Sequence, residues 1–583
     1  MHSSTRRFRN LVSSIEPLEP RIAPAGIVMV TDIDGDLVAI KTSKGTTDQL
    51  KAVVKTSGMN FTGTIQEIDF STAQPVAGAN PFIGTDLSVT VVKQGPKGDG
   101  RVNIGYIDAS STNGNLMGDG TGIALGNVKV GGDIGQIDVG LSSPTLQLKS
   151  LTAQSIGAWG GGNQGANGSN TDQLLGKIGT IKIAGAVNGS TLQFDGTVTN
   201  LDIAGSLLDS NITSTGDLLK MRIGAGVQGS NISGNAIGTA LITGALHGNI
   251  SAVKDLKALT VTGDLIYGRI GAANFGTIKI GGSMYGLDGV PESGSVVTGG
   301  NIKSITVGRD LRGGSAPGSG RISATGNIDA VKIGGSIVGP ESVPMSFPVG
   351  YNPSQASAIV AGGNIKSVTV VGSLLGPTVP TVQGTIFYVP IVCSCISASG
   401  DIDKITIGGS IRGASGGGVS FCTRIAATHL GTVAIAGDVT GVLNVNLPEI
   451  FATGTPEKIA IAKLTIGGSL RLATVIAGST DTAPGTPKNA DGRIGTVTIR
   501  GNLDRATVAA YDVAAGVTDN VNITSSIASL IVGGQITGNS VVRAEHIVSA
   551  RLGGVLLKLK AGDRNDTSPI VFAPGMGSIA EYM

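Results

Sequence analysis

From about residue 177 to residue 552 the chain repeats a short phrase in which apolar and polar residues alternate. One copy reads Gly326-Asn-Ile-Asp-Ala-Val-Lys-Ile-Gly-Gly-Ser-Ile-Val-Gly339. A period of two residues is typical of a strand that buries one face and exposes the other. One aliphatic position of the phrase recurs fifteen times, at Ile183, Ile203, Ile223, Ile242, Val261, Ile280, Val307, Ile333, Val370, Ile407, Ile435, Ile466, Ile499, Val532 and Leu552. The recurrence predicts a solenoid, because a single coil of this kind cannot bury its apolar face alone.

The predicted fold is therefore all-β, a parallel β-helix over residues 111–554 with roughly 16 coils stacked along one axis. A right-handed path is expected, since parallel crossovers are right-handed in nearly all proteins. Residues 26–110 lack the phrase but carry strand signals, including a hairpin turn at Asp34-Gly35. They predict a small β domain that caps the N-terminal end of the solenoid. Residues 555–583 are expected to form a C-terminal cap or tail.

The spacing of the phrase changes along the solenoid. The coils are tight, at 19–20 residues, up to about residue 282, and most later coils are 26–37 residues long. The extra residues follow the Gly-Gly-Ser part of the phrase, so we predict a wall of loops along one edge, often the binding face of a solenoid. Aromatic residues in these inserts are candidates for contact with a glycan or a protein: Phe347, Tyr351, Phe387, Tyr388 and Phe421. The alternative interpretation is that they pack the loops back onto the coils.

Composition and charge narrow the classes of partner. Aromatic residues make up only 3% of the chain, so the core has to be built from Ile, Val and Leu. The net charge is +2, and the only dense basic run is Arg6-Arg7-Phe8-Arg9. This pattern gives no electrostatic footprint for nucleic acid. No apolar run reaches the length of about 18–20 residues that spans a bilayer, so no transmembrane segment is predicted.

The three cysteines exclude a disulfide-rich scaffold. Alignment of the phrase places Cys393 and Cys422 at the same position of consecutive coils. Stacked strands lie about 4.8 Å apart, which is within reach of a disulfide. Two free thiols in a sheltered stack are the other interpretation. A metal site is not predicted, because the spacing of the cysteines lacks the zinc pattern, and no cofactor is implied.

Charged groups that could serve polysaccharide cleavage on a β-helix fall in two places. The two sets are Asp401 with Asp403 and Lys404, and Asp310 with Arg309 and Arg312. Each set is also explained by polar residues that point outward from strands or lie at the corners of coils. The four histidines show no partner pattern of a hydrolase triad or a metal site. The sequence therefore favours a protein without catalytic activity, with a polysaccharide lyase or glycoside hydrolase as the alternative.

Asp32, Asp34 and Asp36 resemble the start of a calcium-binding loop. An EF-hand loop needs a glutamate at its twelfth position, and the twelfth residue counted from Asp32 is Ser43. The segment is therefore interpreted as alternating aspartates around a tight hairpin turn, and no metal site is predicted.

Residues 1–25 are basic and rich in proline, and they lack the apolar stretch of a secretory signal. They predict a disordered leader. Within it, Leu18-Glu-Pro-Arg21 followed by Ile-Ala-Pro-Ala resembles the LEPR motif of large repeat-rich proteins of planctomycete and verrucomicrobial bacteria. The resemblance covers about a dozen residues. It implies export or display on the cell surface and implies no activity.

These observations together predict an exported or cell-surface β-solenoid that acts as a structural or adhesive scaffold. Its wall of loops would contact a polysaccharide or a surface protein. A passenger of a separately encoded secretion system is a further alternative, because residues 555–583 are too few to form a membrane barrel of their own.

Overall fold

The computed structural model describes residues 26–76, 78–110, 122–158, 170–341, 356–377, 392–414, 421–442, 447–478, 491–510, 522–571 and 576–581. Its strands stack in three columns along the solenoid axis, and successive coils pair in parallel within each column. The prediction of an all-β parallel β-helix is confirmed. In the described residues the one α-helix is Thr47–Val53, and Phe70–Thr72 forms a short 3-10 turn.

The first column contains the strands of the repeated phrase, preceded by Thr85–Val92 of the N-terminal region. In order they are Thr85–Val92, Leu125–Val130, Leu146–Ala153, Lys177–Ile183, Val198–Ile203, Leu218–Ile223, Ile237–Ile242, Asp255–Val261, Asn274–Ile280, Ile302–Val307, Ile328–Ile333, Ile365–Val370, Ile402–Ile407, Leu430–Ile435, Ile461–Ile466, Arg493–Ile499, Ser526–Val532, His546–Ile547 and Ala550–Leu552.

The second column contains two-residue strands: Ser155–Ile156, Val187–Asn188, Leu207–Leu208, Leu265–Ile266, Met284–Tyr285, Leu311–Arg312, Ile337–Val338, Leu374–Leu375, Ile411–Arg412, Val439–Thr440, Leu470–Arg471, Leu503–Asp504 and Ile536–Thr537. Three longer strands pass through both the second and the third column: Asp133–Val139, Val227–Gly234 and Leu246–Ala252.

The third column contains the remaining stacked strands: Ile65–Asp69, Asn103–Ala109, Thr171–Leu174, Thr191–Phe194, Asn211–Ser214, Arg269–Ala272, Ser295–Thr298, Ile322–Ala324, Ala358–Ala361, Val392–Ala398, Phe421–Ala427, Glu449–Ala452, Thr474–Ala477, Thr507–Ala510, Val541–Ala544 and Ser578–Glu581.

The fifteen aliphatic residues of the phrase form one continuous row in the first column. Every neighbouring pair is in register, from Ile183 with Ile203 to Val532 with Leu552. All but Leu552 are buried. The predicted inward row is confirmed. Each coil adds one more layer to the same core, and burial of apolar surface contributes about 25 cal/mol per Å².

The serine of the phrase links each coil to the next. The backbone N–H of Ser373 donates to Ser336 Oγ, and that of Ser410 donates to Ser373 Oγ, both at 3.0 Å. Aspartates serve as acceptors at the same position of other coils: Asp310 Oδ1 accepts the N–H of Ser336 at 2.8 Å. These bonds satisfy corner N–H groups that would otherwise be unpaired at partly buried positions.

A second row of side-chain acceptors lies at the corner between the third and first columns. Asn301 Oδ1 accepts the N–H of Asn327 at 2.8 Å, and Asn327 Oδ1 accepts that of Asn364 at 2.7 Å. Asn364 Oδ1 in turn accepts the N–H of Asp401 at 2.7 Å. The row therefore fixes the backbone of Asp401 at this corner.

The paired glycines of the phrase allow close stacking of backbones. A Cβ atom on Gly408 would lie 2.3 Å from the carbonyl oxygen of Val371 in the preceding coil. One on Gly334 would lie 2.2 Å from the oxygen of Gly308. Neither glycine has a positive φ, so the requirement at these corners is space and not left-handed backbone.

The inserts leave the solenoid at two corners, which corrects the prediction of a single edge. From residue 286 to residue 448 they connect the second column to the third, as between Ile337–Val338 and Ala358–Ala361. Three later spacers, 453–460, 478–492 and 511–525, connect the third column to the first instead. Both sets therefore start or end at strands of the third column, whose outward side is the face they share.

Both ends of the solenoid carry antiparallel strands. At the N-terminal end Gly26–Thr31 pairs with Leu37–Thr42, which confirms the predicted hairpin, and the second of these strands pairs with Thr85–Val92. Val54–Thr56 pairs with Ile65–Asp69. Near the C-terminus the short strands Val555–Leu556 and Ile570–Val571 each pair antiparallel with the last strand of a column.

Candidate functional site

The aromatic residues predicted to contact a ligand lie largely outside the described residues. Phe347, Tyr351, Phe387 and Tyr388 belong to this group. For Phe421, the first residue of Phe421–Ala427, the structure describes the backbone and not the side chain. The described part of the candidate site consists of the third-column strands that flank these inserts.

The outward face of these strands carries a row of mostly small side chains that includes two large apolar ones. In register along the coils the row consists of Ser323, Val360, Ser397, Ala426, Phe451 and Ile476. Phe451 and Ile476 are each only 5% exposed although they point away from the core. Both therefore belong to a second apolar cluster outside the main one.

A cleft of about 280 Å³ follows this row. Ser397, Ala426 and Phe451 contribute to its lining, and Thr428 and Thr453 line it toward the first column. The cleft has space above the sheet because the outward side chains of this row are small in several consecutive coils. The cleft lies next to the insert segments, as does a second cavity of about 490 Å³ beside Glu341 and Gly376.

Arg424 lines the cleft and is its main charged group. Its guanidinium carbon lies 5.7 Å from the centre of the Phe451 ring, a cation–π arrangement. Strand register places it between Cys395 of the preceding coil and Glu449 of the following coil. Burial raises the pKa of Glu449 to about 7, against the opposing positive charge of Arg424. Arg424 of the cleft is thus next in register to a carboxyl group that titrates near neutral pH.

Asp401, Asp403 and Lys404 were predicted as one charged set, but Asp401 has different surroundings from the other two. Asp403 and Lys404 are exposed on the strand Ile402–Ile407. Asp401 lies at the corner, where its carboxylate contacts the ring of His429 and forms an ion pair with Lys458, both from later coils. Burial alone would raise the pKa of Asp401, but Lys458 and His429 hold it below its usual value. The pairing of His429 depends on coil stacking and was missed in the sequence.

His429 joins Asp401 to a hydroxyl group. Its Nδ1 lies 2.5 Å from Asp401 Oδ1, and its Nε2 lies 3.3 Å from Thr455 Oγ1. The order carboxylate, imidazole, hydroxyl is that of a hydrolase triad. However, His429 is only 7% exposed, and Lys458 holds the second oxygen of Asp401. The arrangement therefore favours a structural corner over an open catalytic centre.

The second predicted charged set is used mainly for packing. Arg312 forms ion pairs with Asp310 and Glu341, both at 3.1 Å. The other oxygen of Asp310 accepts the N–H of Ser336. Arg309 lies exposed at the neighbouring corner. Both carboxylate oxygens of Asp310 therefore already have partners within the solenoid, one of them in the hydrogen bond between coils.

The aspartates of the N-terminal hairpin come together in space. Oxygens of Asp32, Asp34 and Asp36 lie within 4.8 Å of one another. Asp36 is fully buried and accepts N–H groups of Gln94 and Gly100, both at 2.6 Å. Burial and the neighbouring Asp34 raise the pKa of Asp32 to about 6. These bonds tie the hairpin to the following loop, a structural role that fits the predicted turn.

A stack of carboxyl groups near the N-terminal end was not predicted. Asp69, Asp108 and Asp138 are in register in consecutive third-column strands. Tyr106 Oη donates to Asp138 Oδ2 at 2.7 Å. Burial raises the pKa of Asp138 to about 6 and also raises that of Asp108. The signal in the sequence was an Ile-Asp pair repeated in all three strands, and Asp108 and Asp138 are only 6% and 2% exposed.

The predicted alignment of the cysteines agrees with the strand register, which pairs Cys393 with Cys422 in adjacent coils. Their side chains lie outside the described part of the chain, so the disulfide stays a prediction. Cys395 is a buried free thiol, and burial raises its pKa.

The lysines of the solenoid collect on one surface. Twelve of the fourteen described lysines between residues 122 and 552 lie exposed on first-column strands. We call this surface the lysine face: Lys129, Lys149, Lys177, Lys182, Lys220, Lys257, Lys279, Lys303, Lys332, Lys366, Lys404 and Lys463. The same strands carry Arg222 and four acidic residues, Asp202, Asp255, Asp329 and Asp403. The sequence contains no basic run here because each strand contributes only one or two lysines.

No helix among the described residues has the length and apolar character needed to cross a membrane. No protein-family model matches the sequence, and no curated protein or solved structure matches the chain.

Proposed function

We propose that this chain is an exported or cell-surface β-solenoid that serves as a non-catalytic scaffold. It displays the inserts and the cleft beside Arg424 for contact with a glycan or a protein. The export address rests on the LEPR-type motif at Leu18–Arg21, and the contact role rests on the third column.

One observation carries the proposal: insert length varies without any change in register. Ile333 and Val370 are paired neighbours although 37 residues separate them, just as Ile183 and Ile203 are paired across 20. A core that tolerates such insertions is a rigid support for variable loops.

The test uses the full chain and a panel of carboxylated, sulfated and neutral polysaccharides. Binding and the appearance of new reducing or unsaturated ends are followed together. We expect binding without turnover, and a loss of binding in the double variant Phe387→Ala, Tyr388→Ala. Tyr267→Asn is the matched control, because Tyr267 is 53% exposed and lies outside the inserts. Equal binding by the double variant and the control would contradict a contact role for the inserts.

The alternative function is cleavage of a polysaccharide. It is favoured by Glu449, whose pKa of about 7 suits a general acid or base beside Arg424. Steady release of product, abolished in Glu449→Gln and retained in Asp310→Asn, would establish an enzyme and overturn the scaffold proposal.

A further inference from the structure

We propose that the lysine face binds a linear polyanionic glycan that lies along the solenoid axis. This surface belongs to the first column, whereas the cleft and most insert connections belong to the third. The inference is therefore independent of the proposed contact role of the inserts, and either can fail alone.

The first step is the concentration of charge. First-column strands from Leu125–Val130 to Ile461–Ile466 carry thirteen basic and four acidic side chains, an excess of nine, while the whole chain has a net charge of only +2. Lys366 is the one lysine of the face that forms an ion pair within the described residues, with Asp329 at 2.7 Å. The other ammonium groups are exposed and available to an external anion.

The second step is regularity. Strand register places Lys279, Thr306, Lys332 and Thr369 in one outward row of consecutive coils. Stacked strands are about 4.8 Å apart, so the backbones of Lys279 and Lys332 are separated by about 9.6 Å. The hydroxyl of Thr306 belongs to the strand between them. The alternation of lysine with threonine runs from Thr260 to Thr369. The lysine face as a whole extends over about 60 Å at this strand spacing. Alternating ammonium and hydroxyl groups along a straight line complement a polymer that carries both anions and hydroxyls at regular intervals.

The third step is the choice of polymer. Proteins that bind single-stranded nucleic acid stack bases on aromatic side chains, and the described lysine face has no outward aromatic residue. Duplex readers insert a helix or ribbon into a groove, which a flat sheet cannot do. Peripheral membrane binding usually adds apolar anchors to the basic residues. The exposed apolar residues of these strands, Leu146, Leu219 and Leu241, lie in earlier coils, whereas the row from Lys279 to Thr369 alternates lysine with threonine. A carboxylated or sulfated glycan fits these features best.

The test compares two triple variants of the full chain. The first, Lys279→Gln with Lys303→Gln and Lys332→Gln, removes three neighbouring charges from the lysine face. The second, Lys93→Gln with Lys97→Gln and Lys558→Gln, removes three exposed charges elsewhere. Affinities are measured for polygalacturonate, heparin, neutral dextran, duplex DNA and phosphatidylserine vesicles, at salt concentrations from about 50 to about 200 mM. Thermal melting checks that both variants fold.

We expect the unmodified chain to bind polygalacturonate or heparin and not dextran. The face variant should lose about tenfold in affinity, and its slope of log K against log salt should fall by about two, because fewer counterions are released. The control variant should bind as the unmodified chain does. Absence of polyanion binding at low salt, or an equal loss in both variants, would overturn the proposal. Tighter binding to DNA or to the vesicles than to either glycan would reassign the face to that partner.

Discussion

Ser373 Oγ accepts the backbone N–H of Ser410, one coil further along the solenoid, at 3.0 Å. The same hydroxyl position recurs from coil to coil, with aspartate as acceptor at Asp310 and Asp438. The Gly-Gly-Ser part of the phrase is thus a hydrogen-bonded joint between coils, and the serine is as much a part of the architecture as the buried aliphatic row.

Replacing Ser373 with alanine removes this acceptor and leaves the N–H of Ser410 unpaired at a half-buried corner. We expect a loss of about 1 kcal/mol in the free energy of unfolding, measured as a shift of the urea midpoint. Ser373→Asp keeps an acceptor, as Asp310 does in its own coil, and should unfold like the unmodified chain. Identical midpoints for the alanine variant and the unmodified chain would argue against the joint.

Gly408→Ala places a methyl group 2.3 Å from the carbonyl oxygen of Val371. Because backbone must move to relieve this clash, we expect a destabilisation of about 1–3 kcal/mol in urea unfolding. Gly299→Ala is the matched control, since a Cβ atom there meets nothing within 4 Å and φ is not positive. If both substitutions have the same effect, the close approach of coils is not what requires glycine at Gly408.

Glu449 should make stability fall as pH rises. Its folded pKa is about 7 and its ordinary value is 4.5, so the folded state binds more protons than the unfolded state between these values. The stabilising contribution is fully present below about pH 4.5 and is lost as pH rises through 7. Urea midpoints at the two ends of this range should differ less in Glu449→Gln than in the unmodified chain. An unchanged pH dependence in the glutamine variant would exclude Glu449 as its source.

The register of Cys393 with Cys422 makes a specific prediction about thiols. Strands in register are about 4.8 Å apart, within the range of Cα separations that a disulfide needs. Mild oxidation of the purified chain is expected to leave Cys395 as the one thiol that reacts after denaturation. Reduction should restore all three thiols. Three reactive thiols after oxidation would favour the alternative of free cysteines, and Cys422→Ser provides the control for the bridge.

Several features could be predicted from the sequence because they repeat along the chain. The row from Ile183 to Leu552 was visible since each coil must bury an aliphatic residue at the same place, and strand alternation fixes which side it faces. The hairpin at Asp34-Gly35 was visible because local backbone geometry determines it. The inserts were visible as longer steps, although their corner was predicted correctly only for the earlier ones.

Other features arise only when the coils stack. Asp401, His429 and Lys458 are scattered in the sequence, and it is the parallel register of distant strands that brings them together. The same holds for Arg424 and Glu449 beside the cleft.

The sequence by itself determined the fold, because a buried position that recurs in every coil leaves a periodic trace in the chain. The tertiary structure alone decided where charge collects. Lys279 and Lys332 are 53 residues apart in the sequence, yet stacking puts them two strands apart on one flat face. A surface built from one or two residues of each strand has no local signature, because its neighbours are defined by register between coils and not by order along the chain.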